Sequence, residues 1–361
     1  MEIAVLGGGN GSLAAAVDLT EQGHRVRLWR RSADAVAAMP NPLTLKDHGG
    51  ARPVRISLIT DDLADALAGA ELIVCPTPAT AHEDIAARLA PLLADGQVVF
   101  LPPGTFGTYM IARAMADIGN TANVALAETG TLPWLTRKHG DDTIAITTRA
   151  SRLPTGIWPR SAHTWALPIL SRGFPSVEDA GDALSGALMN AGPIIHPPLI
   201  LMNAGPIEHF DHWDIHNEGT QPAIRRVTDA LDAERMATRE ALGYGAPHFP
   251  LVDHYTTDQW MYGNLAHDKL TDSGDWREHL VLTEHRYMRE DVALGLAFLL
   301  SVADWAGVPC PVARGLLALG SAICGEDFRQ TGRTLETLGL AGLTREQMRA
   351  MLTDGLQGTG G

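Results

Sequence analysis

Short apolar runs alternate with helix-like stretches over the first half of the chain. Ile3-Ala4-Val5-Leu6 is followed by a helical stretch from Gly11 to Gln22, and Gly23 supplies the stop that glycine commonly gives just past a helix end. Arg25-Val26-Arg27-Leu28-Trp29 reads as a second strand. Leu72-Ile73-Val74-Cys75, Val98-Val99-Phe100-Leu101 and Val124-Ala125-Leu126-Ala127 repeat the pattern, and Ile144-Ala145-Ile146 adds one more strand. Continuous apolar strands separated by helices predict a parallel sheet covered on both faces. After Ser176 the strand signal fades. Ser176 to Met189, Thr228 to Leu242, Glu290 to Ala306 and Val312 to Cys324 carry helical periodicity. Thr344 and Gln347 form a capping box, with Leu343 and Met348 at the positions of a hydrophobic staple. The expected fold is an α/β N-terminal Rossmann domain over residues 1–177, with a doubly wound, mostly parallel sheet, and an all-α C-terminal domain over residues 178–361. The Pro- and Trp-rich stretch from Ser151 to Pro175 leads into that boundary. The segment LMNAGPI occurs at 188–194 and again at 201–207, and one short duplication does not make a solenoid.

Composition agrees with two folded domains. The chain has 361 residues, 45% hydrophobic and 19% charged, enough to bury a core and unlike a disordered segment. A formal net charge of -14 argues against nucleic acid as a partner, because an acidic surface repels phosphate backbones. The three cysteines, Cys75, Cys310 and Cys324, are far apart and form no CxxC pair, so a disulfide framework is not expected and a reducing cytosol fits. The N-terminus lacks a basic leader, and the longest apolar run, Val292 to Ala303, is too short to cross a bilayer. A soluble cytoplasmic protein is expected.

Chemistry enters at the first strand. Gly7-Gly8-Gly9-Asn10-Gly11-Ser12 follows it directly and opens a helix, fitting G-x-G-x-x-[G/A] with Ser12 in the last small position. Gly7 makes the tight turn, Gly9 lets the backbone approach a pyrophosphate, and Ser12 permits close helix–strand packing. The helix N-terminus then offers free amides and the positive dipole end to phosphate. The second strand of such a unit normally ends in a carboxylate for the ribose 2′-hydroxyl of NAD. Here it ends in Arg30-Arg31-Ser32, and two guanidinium groups beside a hydroxyl suit a 2′-phosphate. NADP(H) is therefore preferred over NAD(H), although the same residues also read as a solvated basic helix start. Pro78 and Glu128 join Gly7, Gly9, Asn10, Gly11, Ser12, Arg30, Arg31 and Ser32 in the expected cofactor-binding set.

Among 14 histidines, His196 stands out, because it opens the helical domain in Ile194-Ile195-His196-Pro197-Pro198. A histidine acid or base needs an oriented partner, and Asp291 is one candidate. His209, Asp211, His212, Asp214 and His216 have spacing compatible with a divalent metal, but no sharp ligand motif is present, and a polar rim or loop is the reading adopted; no metal is assigned. Trp134 in Thr131-Leu132-Pro133-Trp134 is a candidate wall of the nicotinamide or substrate pocket, with simple packing as its alternative.

These residues together resemble the octopine/nopaline (opine) dehydrogenases nearly end to end. The marks are Gly7 to Gly11, Pro103-Gly104, Glu128-Thr129 leading to Leu132-Pro133-Trp134, and His196-Pro197 with Asn203. Then come Glu218-Gly219 with Pro222, Asp232-Ala233-Glu234-Arg235, Arg286-Tyr287 with Glu290-Asp291-Val292, and Asp327-Phe328-Arg329 with Gly332-Arg333-Thr334-Leu335-Glu336. The resemblance implies condensation of an amino acid with a 2-keto acid, then reduction of the imine by a hydride from NAD(P)H. It implies that His196 is the catalytic histidine, Asp291 its carboxylate partner and Arg286 a clamp on a substrate carboxylate. Asn203 and His216 are expected near the substrate, and a homodimer through the helical domain is expected by analogy. The carboxylate partner is expected to fix the imidazole tautomer and raise its pKa. Two departures bear on specificity: Arg30 replaces an acidic residue, and Ile215 replaces an aromatic one. Ketopantoate reductases and glycerol-3-phosphate dehydrogenases share the two-domain plan and reduce a carbonyl with the help of a helical-domain lysine. Lys269 is the only lysine after residue 138, in a segment that resembles neither. A non-enzymatic NADP(H) sensor is the third reading, and it would have no need of the His196, Asp291 and Arg286 set.

Overall fold

The first apolar run becomes the centre of a large sheet. In the computed structural model, which describes residues 1–263 and 266–356, the chain forms two compact units. Unit 1 comprises Met1–Thr77, Ala81–Ala187 and the stretch from Ala350 onward; unit 2 comprises Pro78–Thr80 and Leu188–Arg349.

The strands of unit 1 are β1 (Glu2–Leu6), β2 (Arg25–Trp29), β3 (Leu43–Asp47), β4 (Gly50–Val54), β5 (Leu58–Thr60), β6 (Leu72–Val74), β7 (Val98–Leu101), β8 (Ala125–Thr129), β9 (Trp134–His139), β10 (Thr143–Arg149), β11 (Leu153–Trp158) and β12 (Val177–Asp182). Its helices are α1 (Asn10–Glu21), α2 (Ala33–Ala37), α3 (Leu63–Leu67), α4 (His82–Leu89), α5 (Gly107–Asp117), α6 (His163–Gly173) and α7 (Ala183–Ala187). Eight strands form one sheet in the order β12-β11-β8-β7-β6-β1-β2-β5, parallel except where β11 meets β8. The order reverses at β1 and β6, which creates the crevice where doubly wound sheets bind ligands. Ile3, Ala4, Val5 and Leu6 have no exposed surface, as do Leu72, Ile73 and Val74 beside them. Each such buried aliphatic side chain contributes about 1.5–3 kcal/mol.

Ile144 to Ile146 do form a strand, but in a second sheet of order β4-β3-β10-β9. A charged network fastens this sheet to α1. Arg149 donates through Nε to Asp18 Oδ1 and through Nη2 to Asp47 Oδ2, both at 2.8 Å. Arg52 Nη1 donates to Asp47 Oδ1 at 2.8 Å, and Trp134 Nε1 donates to Asp18 Oδ2 at 2.8 Å.

The expected helix over Ser176 to Met189 is not formed as such. Val177–Asp182 is an edge strand, β12, and only Ala183–Ala187 is helical. An edge strand packs on one neighbour and needs no apolar alternation, so Glu178, Asp179 and Asp182 leave no strand signature.

Unit 2 is helical: α8 (Gly192–Met202), α9 (Ala204–His209), α10 (Pro222–Ala241), α11 (Val252–Thr256), α12 (Ala266–Asp272), a π-helix (Tyr287–Leu296) that runs directly into α13 (Ala297–Ala306), then α14 (Pro311–Cys324) and α15 (Phe328–Thr331). A two-residue ribbon pairs β13 (Trp213–Asp214) with β14 (Arg277–Glu278). Its core includes Leu231, Met288, Val292, Leu296 and Val302, all without exposed surface. A buried ion pair, Arg235 Nε to Asp232 Oδ1 at 2.6 Å, also binds the Leu251 amide and the Leu188 carbonyl, tying α10 to two loops. The final helix, α16 (Arg345–Asp354), starts with the capping box read from the sequence. Thr344 N donates to Gln347 Oε1 at 2.8 Å, and Gln347 N donates to Thr344 Oγ1 at 3.2 Å.

The cysteines are all free: Cys75 and Cys310 are buried, and Cys324 is partly exposed at the end of α14. No helix among the described residues is long and apolar enough to cross a membrane.

Candidate active site

The glycine-rich turn of unit 1 leaves β1 at the switch point. Gly7 has φ +108°, a conformation that favours glycine, and its amide donates to the Trp29 carbonyl at 3.0 Å. Ser12 Oγ donates to the Leu6 carbonyl at 2.9 Å and closes the turn from the helix side. Gly9 caps α1 without any side-chain hydrogen bond, so the first-turn amides are left to a ligand. Asn10 Oδ1 accepts from the Lys138 amide at 3.0 Å and anchors the start of the helix to β9.

Arg30 lies over this turn: a Cβ at Gly8 would overlap its guanidinium. Its Nη1 is buried and has no hydrogen-bond partner, and burial pulls its pKa below the ordinary value. A half-buried guanidinium with an unpartnered nitrogen beside a bare glycine cradle fits the phosphate of a dinucleotide. Arg31 and Ser32 behave differently. Arg31 is 67% exposed, 3.6 Å from Asp84, and Ser32 caps α2 by accepting from the Ala35 amide at 3.3 Å.

In unit 2, α8 carries His196 immediately before two prolines inside the helix. Pro197 and Pro198 lack amide hydrogens, so the carbonyls of Pro193 and Ile194 lose their helical donors, and the helix is locally loosened around His196. His196 Nδ1 lies 2.8 Å from Asp291 Oδ2. Asp291 projects from the π-helix, and Gly192 leaves room for it: a Cβ there would strike Asp291 Oδ1. Four residues earlier on the same π-helix, the Tyr287 ring stacks on the His196 ring at 3.6 Å between centroids and 8° between planes. Tyr287 is held in turn by His216, whose Nε2 is 2.7 Å from the phenol oxygen. The imidazole is therefore fixed at its edge by a carboxylate and on its face by a phenol. Its side chain keeps 16% exposure, which leaves it accessible to a ligand. Asp291 claims Nδ1, so Nε2 is the ring nitrogen left for a ligand.

Burial sets the electrostatics. It pushes Asp291 up to about 7, against the opposing pull of Arg286. It also lowers His196 well below its ordinary value, reinforced by Arg286, so the expected rise in the imidazole pKa is reversed. Either way one proton added to the pair leaves a hydrogen on Nε2, because the shared proton occupies the Nδ1–Oδ2 bond. Arg286 is 58% exposed, with Nε 3.4 Å from Glu290 Oε2. Glu290, raised by burial, accepts the Ala79 amide at 2.8 Å through Oε1, and Arg333 Nη2 donates to the Ala79 carbonyl at 2.8 Å. Pro78 thus leads into a backbone segment gripped by two charged side chains of unit 2.

Three expected site residues are engaged within the protein instead. Trp134 is 2% exposed, edge-on to Phe174 and bonded to Asp18, a core side chain and not a pocket wall. Glu128 has no exposed surface; its carboxylate accepts from the Phe106 amide at 2.6 Å and from Thr108 Oγ1, so it pins the turn into α5. Asn203 donates to the Leu199 and Gly219 carbonyls and accepts from Trp213 Nε1, clasping the 213–219 loop. Of the 209–216 cluster, His209, Asp211 and His212 are exposed. Asp214 accepts from the His216 and Asn217 amides, and no group of three or more His, Cys, Asp or Glu among the described residues could hold a metal ion. Sequence reasoning missed Tyr287 as a neighbour of His196; its spacing of four from Asp291 was the available signal.

A glycine-cradle nucleotide unit joined to a helical unit with a buried His–Asp pair defines a two-unit NAD(P)-dependent dehydrogenase. Residues 2–124 match the N-terminus of NAD-dependent glycerol-3-phosphate dehydrogenase, and residues 179–324 match the alpha-helical domain of NAD/NADP octopine/nopaline dehydrogenase. The chain is an NAD(P)-dependent oxidoreductase acting on CH–NH, and it resembles the octopine/nopaline (opine) dehydrogenases along nearly its whole length. It is 27% identical to the opine dehydrogenase of Arthrobacter sp. (strain 1C) over 351 residues, covering 96% of this chain and 97% of the relative. Octopine dehydrogenase solved with NADH and L-arginine shares the fold at TM-score 0.72 and 20% identity, with 98% of each chain covered. Yersinopine dehydrogenase with NADP+ bound does so at TM-score 0.64 and 16% identity, again over 98% of each.

Proposed function

We propose that this protein reductively condenses an amino acid or amine with a 2-keto acid through an imine, and catalyses the reverse oxidation, with NADP(H) preferred over NAD(H). The observation that carries the reading is the His196 Nδ1–Asp291 Oδ2 bond of 2.8 Å, which leaves Nε2 as a proton donor and acceptor beside the exposed Arg286. Gly7, Gly9, Gly11 and Ser12 would hold the cofactor pyrophosphate, and Arg30 the 2′-phosphate. When bound, the reduced nicotinamide supplies a hydride. The chain's own residues do the rest. Arg286 would clamp a substrate carboxylate with its planar fork. His196 Nε2–H would donate a proton as water leaves the condensing pair, and in its base form would take one from the amine. Asp291 fixes the tautomer, and Tyr287 fixes the ring plane. His216 supports that arrangement through the Tyr287 hydroxyl. A cytoplasmic homodimer completes the reading.

The test is a matrix of amines against pyruvate, glyoxylate and 2-oxoglutarate, following NADPH oxidation with mass detection of product. Consumption is expected only when amine and keto acid are both present. Ketone reduction without amine would favour a ketopantoate reductase type of reaction, although the exposed Lys269 on α12 offers no support for it.

A further inference from the structure

The N-terminus of α10 carries an electrostatic imbalance. Its cap residue, Gln221, turns its side chain back to the Glu218 carbonyl and makes no capping bond to the helix amides, and the first turn contains no acidic residue. Arg225 and Arg226 stand near that end instead, where the helix dipole disfavours positive charge. Arg225 Cζ lies 4.4 Å from the Tyr255 ring centroid, and its Nη2 donates to His267 Nε2 at 3.4 Å. Its Nε is buried with no partner, and no carboxylate among the described residues pairs with it. His254 belongs to the same cluster, its ring 5.8 Å from that of His267. It is 9% exposed, and its Nδ1 is likewise buried and unpartnered. Burial, His267 and Arg225 together push His254 down to about 3, so it is neutral, with one ring nitrogen a donor and the other an acceptor. Folded proteins rarely leave two such groups unsatisfied side by side.

We propose that Arg225, His254 and His267 form a second ligand site of the helical unit, binding the carboxylate of a small organic acid at the start of α10. A carboxylate matches the guanidinium fork and supplies the acceptor that Nε lacks. A single negative charge also suits the surroundings: Asp229, Asp268 and Asp214 act electrostatically on this cluster and would oppose a doubly charged phosphate. The site shares no residue with the His196 cluster and does not depend on the reaction assigned there.

The test uses the full chain at low ionic strength, with Arg286→Met as the background so that the exposed clamp contributes nothing. Isothermal titration with propionate, a monoanion, should give a binding isotherm, weakened at least tenfold in the Arg286→Met/Arg225→Met double variant and weakened in Arg286→Met/His267→Asn. Equal binding with and without Arg225, or inorganic phosphate binding as tightly as propionate, would overturn the proposal. Should the Arg225 variant not fold, ring nitrogen NMR of wild-type histidines decides: propionate should shift the His254 Nδ1 resonance, and an unmoved resonance refutes the site.

Discussion

At the scale of single residues, Asp291 shows function set against stability. Burial raises it from 3.8 to about 7, so the stability its neutral form contributes is complete below about pH 4 and is lost as pH rises through about 7. Asp291→Asn removes that penalty, and we expect the variant to gain about 1–3 kcal/mol relative to wild type at pH 8 and little at pH 4, read from denaturant midpoints. The same change lets an amide donate to Nδ1 and enforces the other tautomer, so turnover should fall by roughly 10³–10⁴. Tyr287 separates packing from bonding. Tyr287→Phe keeps the stack on His196 and should stay within a few-fold of wild-type kcat, whereas Tyr287→Leu frees the ring plane and should lose about 10²-fold. Arg30→Ala should weaken NADPH binding by about 1.5–3 kcal/mol and leave NADH nearly unchanged; equal losses for both cofactors would remove the 2′-phosphate assignment.

Among elements, legibility followed the strength of the periodic signal. β1, β6, β7 and β8 are buried along nearly their whole length and appear in the sequence mainly as apolar runs, while β2 announces itself through Val26, Leu28 and Trp29 alongside its two arginines. β3, β4, β5 and β9 mix polar and apolar positions, and β12 is half-exposed with three carboxylates, so none announced itself. The π-helix reads simply as helix, because its i→i+5 bonding leaves no compositional mark. At the site, the His196 and Asp291 pairing rested on a family resemblance, since 95 residues separate them and local spacing carries nothing about their contact. Glu128, Trp134 and Asn203 were legible as polar or aromatic residues in motifs; their hydrogen bonds to the chain itself were not. The second sheet yields its own prediction. Asp47, held far below the usual carboxylate range first by Arg52, gives stability that is present above about pH 4 and lost as pH falls. Asp47→Asn should therefore cost about 1–3 kcal/mol at pH 7 and progressively less as pH falls below 4, measured by urea unfolding.

For the whole molecule, the division into two units separates two measurable properties. The cofactor cradle belongs to unit 1 and the His196 cluster to unit 2. His196→Ala is expected to abolish turnover while the rise in Tm on adding NADPH stays at the wild-type value; loss of that rise would contradict the separation. The three thiols extend this logic to unfolding. Cys75 closes β6 in unit 1 and Cys310 precedes α14 in unit 2; burial pushes each up to about 11. Neither can be alkylated in the native state, because both the sulfur and its thiolate are withheld from solvent. Cys324, partly exposed, should react first and mark total protein. Pulsed labelling with an alkylating reagent during denaturation, followed by peptide mass mapping, then times the opening of each half of the molecule with no engineered probe.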